Sequence, residues 1–358
     1  MSVEIWPSLP PGQLITAVEQ TQLPGTRPLT PRTAQRRELE WLLNELHETL
    51  QNLKSGLEDC YALLAPVDPG STLVVSTPRN EIVKGHITRV GTRIVKGILT
   101  LKPRTIQHQT YTINAEHPIQ IAPLTTLHAL LNHSIDLLTL TLSYTYSSGP
   151  TEPPASPTRP TATFIAAQLR LLSQSLTEAT SLLKGPQPLT ASDATWVSKS
   201  CSPAHFSPPT GSNLSIQWGV QESQLVLWLR TLEPADAPVN LGMKFALAIG
   251  TTRRLEHDEA EQVFIYTYPE GAAPDPQKHG GNGGASGGAG QKSAVDENSG
   301  AKGASGEVEA QVFVREKVRV ESADPALMSL GTKLSALAKT LANARGNLAT
   351  VMGEELDE

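Results

Sequence analysis

Four short stretches carry residue types that could do chemistry. Ile-Val-Lys-Gly occurs twice, at 82–85 and 94–97, and Lys beside Gly is half of a phosphate cradle. A P-loop puts Gly before Lys and then Ser or Thr, so that helix N-terminal amides and the Lys reach the phosphates. Here Lys84 and Lys96 precede Gly85 and Gly97, and period-two patterns follow rather than a helix. Glycines within strands more simply let another backbone or a large side chain come close. Gly284-Ala285-Ser286-Gly287-Gly288 has the letters of a nucleophile elbow. That device needs a strand before the Ser and a helix after it, and this copy lies in a Gly-rich tract with neither. The nine His are dispersed, His128 and His133 are five apart rather than on one helical face, and no HExxH occurs. The acidic run His257-Asp258-Glu259-Ala260-Glu261 reads as a solvated loop before a strand, since no other metal-ligand spacing stands near it. The sequence thus nominates no catalytic, cofactor-binding or metal-ligating residue.

Read as a hairpin, the doubled motif puts Val83, Gly85 and Ile87 on the core side with Val95, Gly97, Leu99 and Leu101. All are odd-numbered, so a loop over Val90–Thr92 centred on Gly91 sets Ile87 against Val95, Gly85 against Gly97 and Val83 against Leu99. Lys84 and Lys96 then point outward.

The elements that must position these residues follow from periodicity. Leu39, Leu43, Leu46, Leu50, Leu53, Leu57, Cys60 and Leu64 alternate spacings of four and three along one helical seam. Pro66 and Val-Asp-Pro-Gly end that helix. A second seam runs through Leu124, Leu127, Leu131 and Leu138 to about Leu142, although residues 139–146 also alternate as a strand would. Ile165, Leu169, Leu172, Leu176, Ala179 and Leu183 form a third, stopped by Gly185 and Pro186. Asp324 caps a fourth with Pro325 at its first position, carried by Leu327, Leu330, Leu334, Leu337, Leu341, Ala344, Leu348 and Val351.

Period-two patterns mark strands at 73–76, 81–90, 93–101 and 107–114, and further ones at 241–249, 262–268 and 308–320. Residues 213–232 read as a hairpin turning at Gln221-Glu222-Ser223. The fold expected is α+β, elongated: an antiparallel bundle of about four long helices with leucine seams plus a separate, mainly antiparallel β domain. The bundle takes residues 33–68, 120–200 and 322–358, and the β domain 69–119 and 201–321. Residues 1–32 read as a Pro-rich arm and 270–306 as a disordered insertion, with eleven Gly from 271 to 306. A Pro- and Ser-rich linker covers 147–162. One seam could also be left open for another protein.

Composition sets the remaining bounds. Net charge is −6 with 29 Lys and Arg scattered along the chain, which gives no basic stripe for nucleic acid. Cys60 and Cys201 cannot build a disulfide framework or a Cys-rich metal site. The first residues lack signal-peptide regions, and no apolar run reaches the roughly 18 residues of a spanning helix. A cytosolic protein is expected.

Three stretches resemble the Rogdi family, whose members include the small subunit of the RAVE complex, the regulator of vacuolar-type proton-ATPase assembly. Glu40-Trp41-Leu42-Leu43, with Glu45 and His47 behind it, is similar to the family's opening Trp-Leu-Leu helix. Val95-Lys96-Gly97-Ile98-Leu99-Thr100-Leu101 is similar to its VKGxLTL strand, and Asn213-Leu214-Ser215-Ile216-Gln217-Trp218 through Leu232 to its paired strands. The resemblance covers most of residues 35–350; the first IVKG copy, the Pro-rich arm and the Gly-rich insertion depart from it. It implies an α plus β adaptor without enzyme activity or cofactor, which helps rejoin the pump's detached catalytic sector to its membrane sector. The partners implied are a large β-propeller-containing RAVE subunit, an Skp-type adaptor and the pump, with peripheral recruitment to vacuolar or endosomal membranes. A coiled-coil scaffold in trafficking, or a small-molecule or lipid binder with a cavity between β domain and bundle, are the competing expectations.

Overall fold

The computed structural model describes residues 31–146, 159–186, 191–236, 257–269 and 307–353. The arm before residue 31, the linker residues 147–158, the strand expected at 241–249 and the Gly-rich insertion lie outside the described residues.

Four long helices and one short one are present among them: α1 (Pro31–Leu63), α2 (Ala122–Tyr146), α3 (Arg159–Lys184), α4 (Thr195–Ser198) and α5 (Pro325–Met352). The leucine seams are where the spacing put them. Leu43, Leu46, Leu50, Leu53, Leu57, Cys60 and Leu64 of the first seam are all buried. α2 runs through the ambiguous 139–146 stretch as helix, its inward Ser134 and Thr141 satisfied by the carbonyls of Leu130 and Leu137. α1 packs on α2 and α5, and α3 packs on the same two. Gln35 donates to the Val351 carbonyl, and Lys333 pairs with Asp59 at 2.8 Å, so α1 and α5 run antiparallel.

Among the described residues ten strands form two antiparallel sheets. The first orders β1 (Ser71–Ser76), β2 (Val83–Val90), β3 (Arg93–Leu101), β4 (Gln109–Ile113) and β6 (Phe206–Ser207), with β5 (Ile119–Gln120) pairing β3. The second orders β7 (Leu214–Gln221), β8 (Gln224–Pro234), β10 (Glu307–Ser322) and β9 (Val263–Pro269).

The expected four-helix bundle beside a separate β domain needs correction. One hydrophobic core runs from the helical seams into Val83, Ile87, Ile94 and Leu99 of the first sheet and Ile216, Leu227, Leu229 and Val320 of the second. The physical reason is that each sheet also has an apolar face to bury, and the helices cover it. The helices are therefore one side of a shared core, not a bundle complete in itself. A smaller cluster of Trp196, Leu232, Phe264, Tyr266, Val312 and Val314 lies on the other face of the second sheet.

The hairpin of the doubled motif also needs correction. Its loop is the two residues Gly91 and Thr92, with Val90 opposite Arg93 and Gly91 at φ 59°. A bulge then shifts the register, since Thr88 faces Lys96 while Arg89 faces Ile94. Val95 is the extra residue, so Ile94 turns inward in its place. Beyond the bulge Gly85 opposes Leu99 and Gly97 opposes Ile87, rather than each other. Lys84 and Lys96 do point outward. The hairpin of β7 and β8 turns at Glu222 and Ser223, both with positive φ. Their amides donate to the Lys184 and Leu183 carbonyls at the end of α3, which holds the turn.

Candidate functional site

The Lys-Gly steps lie in mid-strand, away from any helix N-terminus. A Cβ at Gly85 would stand 2.1 Å from the Ile98 carbonyl oxygen, and one at Gly97 2.9 Å from Ile87 Cγ2. Both glycines serve close approach, with no cradle of amides for a phosphate. Gly284–Gly288 lies outside the described residues. The His128 ring packs tilted against Tyr61, centroids 4.5 Å apart, and His133 is exposed on the same helix. Among the described residues no three His, Cys, Asp or Glu side chains group to hold a metal ion.

The acidic run at 257–261 is not the solvated loop expected. β8 is the middle of its sheet and is covered on both faces, so its even-numbered side chains need partners as well. Arg230 projects to that second face and donates to Glu259 through Nε at 2.7 Å and Nη2 at 3.0 Å. Lys317 Nζ adds a contact to Glu259 at 2.8 Å and holds Asp258 at 2.8 Å. The fork geometry fits a planar carboxylate, which a buried ion requires if its charge is to survive desolvation. Burial alone would raise the Glu259 pKa, but the hydrogen bonds from Arg230 and Lys317 outweigh it and hold the carboxyl below its ordinary value. Lys317 likewise holds Asp258 low.

Aromatic rings complete the cluster. The Arg230 guanidinium lies 4.8 Å from the Trp196 ring centroid, and Trp228 has Arg319 at 5.4 Å and Lys317 at 5.8 Å. Trp196 stacks on Tyr266 at 5.9 Å. The Glu259 amide donates to His257 Nδ1, while His257 Nε2 is buried without a partner. The charges of Arg230, Lys317, Asp258 and Glu259 neutralise one another, so the cluster holds a turn against a sheet.

A second buried pair joins the sheets to the helices. Arg89 Nε donates to Asp324 Oδ2 at 2.6 Å, with both side chains buried. The other Asp324 oxygen accepts the amides of Ala326 and Leu327, as an N-cap should. A third tie uses the β10 bulge between Val314 and Glu316. There Glu316 accepts the Thr105 amide at 2.6 Å, and Thr231 Oγ1 takes the Glu316 amide and the Thr105 hydroxyl. The cap was legible in the sequence, but no spacing signalled the Arg89–Asp324 pair or the Glu316 and Thr231 contacts, because their partners lie in different elements.

Burial pushes the Cys60 thiol up to about 11 and the Cys201 thiol up to about 12, so neither is a poised nucleophile. A cavity of about 180 Å³ opens beside Ser200, Cys201 and Tyr266, at the second sheet. Among the described residues no helix is long and apolar enough to cross a membrane.

A family model described as Rogdi leucine zipper containing protein matches residues 38–349. No curated protein matches the chain.

Proposed function

From the premise that the chain belongs to the Rogdi leucine zipper family, we propose that it is a non-enzymatic adaptor subunit of the RAVE complex. In this role it promotes reassembly of the vacuolar proton-ATPase from its peripheral and membrane sectors. It contacts a large β-propeller-containing subunit, an Skp-type adaptor and the pump, and it is recruited peripherally to vacuolar or endosomal membranes. The family match over residues 38–349 carries the proposal. The central ionisable groups support it, since Arg89, Asp324, Arg230, Glu259 and Lys317 are all spent on one another.

The competing readings have less behind them. A scaffold that recruits partners through an open leucine seam would leave one seam exposed, yet all four are largely buried within the chain. For a lipid binder, the cavity beside Cys201, about 180 Å³, is smaller than the roughly 300–1,000 Å³ of typical small-molecule pockets. The test is co-purification of the full chain with the large RAVE subunit and with the pump's catalytic sector. Binding of neither, together with normal vacuolar acidification in cells lacking the chain, would sink the adaptor reading.

A further inference from the structure

The first sheet buries one face in the core and leaves the other open. The even-numbered side chains of its strands form the open face: Thr72, Val74 and Ser76 on β1, Lys84, His86 and Thr88 on β2, and Lys96, Ile98 and Thr100 on β3. Thr110 and Thr112 on β4 continue it. Register aligns Val74, His86, Ile98 and Thr112 in one row across four strands. Within that row Val74 is 69% exposed and Ile98 42% exposed. The hydroxyl pairs Thr72–Thr88 and Thr100–Thr110 flank it.

Charge separates this face from the second sheet. On the second sheet Arg230, Arg315, Lys317 and Arg319 each have a carboxylate partner. On the open face Lys84 and Lys96 are exposed, Lys102 follows just past β3, and none of the three has a carboxylate partner among the described residues. No Asp or Glu lies in β1 to β4. In a chain of net charge −6 this open face is thus cationic, with two exposed aliphatic side chains, Val74 and Ile98, at its middle.

We infer that this face of the first sheet, centred on Val74 and Ile98 and framed by Lys84, Lys96 and Lys102, is a docking surface for an acidic, partly aliphatic segment of another protein. The inference deepens the adaptor proposal and rests on it. The lysines supply long-range attraction and register, the threonine hydroxyls and His86 supply hydrogen bonds, and Val74 and Ile98 give the contact a dry centre. An anionic membrane fits less well, because surface-seeking clusters carry about four to eight basic residues and usually an inserting aromatic ring. This face reaches only the lower end of that range, with Lys84, Lys96, Lys102 and the exposed Arg93 beside the hairpin turn, and its outward side chains include no Phe, Tyr or Trp. A second copy of this chain could offer Glu38, Glu40, Glu45 and Glu48 on α1. That contact would be head-to-tail, however, and head-to-tail contacts that do not close make open-ended polymers.

The test places the photo-cross-linker benzoylphenylalanine at Ile98 of the full chain in its own cells, with Leu171 of α3, 49% exposed, as the control position. The expected result is an Ile98-specific adduct with another protein, whose cross-linked peptide is net negative. Its yield should fall about tenfold in a Lys84→Glu/Lys96→Glu double variant, and less in Lys84→Gln/Lys96→Gln. Both variants change only exposed side chains, and circular dichroism should show them folded. The inference is overturned by an adduct with a second copy, by a peptide that is not acidic, by a yield indifferent to the lysines, or by no adduct. Lysine-dependent binding to phosphatidylserine–phosphatidylcholine vesicles without a protein adduct also overturns it, in favour of lipid. If pump-assembly subunits co-purify while Ile98 yields nothing, this face fails and the adaptor reading stands. If an acidic adduct forms but no pump-assembly subunit co-purifies, the face is upheld and the adaptor reading falls.

Discussion

Arg89 and Asp324 are 235 residues apart in the chain and form a buried ion pair at 2.6 Å. One carboxylate thereby neutralises a guanidinium on β2 and caps the first turn of α5. The two roles differ in size. Losing a cap costs about 0.5–2 kcal/mol, whereas stranding a buried charge costs about 3–5 kcal/mol. Asp324→Ser keeps a capping oxygen and removes the charge, so it should destabilise nearly as much as Asp324→Ala in urea unfolding. Adding Arg89→Met to Asp324→Ser should recover part of the loss. A Ser variant close to wild type would show that the cap, not the ion pair, carries the junction.

Glu259 gives the stability a pH dependence of known sign. Its folded pKa lies below the ordinary value of 4.5, so its pairing with Arg230 and Lys317 contributes fully above that value. The contribution is lost as pH falls below about 4.5 toward the folded pKa. Glu259→Gln should therefore be markedly less stable than wild type at pH 7, and the gap should narrow between pH 4.5 and pH 3 in denaturant titrations. A gap that stays constant over that range would assign the effect to packing.

How much of this was legible is clearest at the two bulges. The seams of α1, α3 and α5 and the strands of both hairpins could be read from spacing, because a period averages over many residues and survives a local error. A bulge adds one residue and inverts the parity after it. At Val95 it brings Ile94 into the core, and at Arg315 it turns the even positions of β10 from the smaller cluster, through Val312 and Val314, to the main core, through Val320. Neither bulge has a Gly or Pro to announce it. Glu259 was opaque for a related reason: an acidic residue reads as solvated until its partner is known, and Arg230 and Lys317 come from two other strands.

The thiols should be silent until the chain opens. Cys60 is fully buried in the α1 seam, and burial raises it to about 11 and Cys201 to about 12. Thiolate is the reactive form, so at pH 7.5 the folded chain should show almost no labelling by a disulfide reagent such as DTNB. In denaturant both cysteines should react promptly. Labelling of Cys60 under native conditions would mean that its surroundings open far more readily than the packed core does, whereas slow labelling of Cys201, half-buried beside the cavity, would need no such opening.

Gly85 and Gly219 both sit within strands, yet they should respond oppositely to one methyl group. At Gly85 the new carbon would lie 2.1 Å from the Ile98 carbonyl oxygen and 3.0 Å from Leu99 Cα. Both are backbone of the paired strand, so β2 and β3 must separate, and overpacking of this kind costs about 1–3 kcal/mol. At Gly219 nothing lies within 4 Å and the backbone φ is ordinary. There the methyl mainly restricts the unfolded chain, so Gly219→Ala should stabilise by up to about 1 kcal/mol. Urea midpoints moving down for Gly85→Ala and level or up for Gly219→Ala would separate the two roles. Equal losses at both sites would mean that neither responds to local space, and close approach would no longer account for the glycine of the first Lys-Gly step.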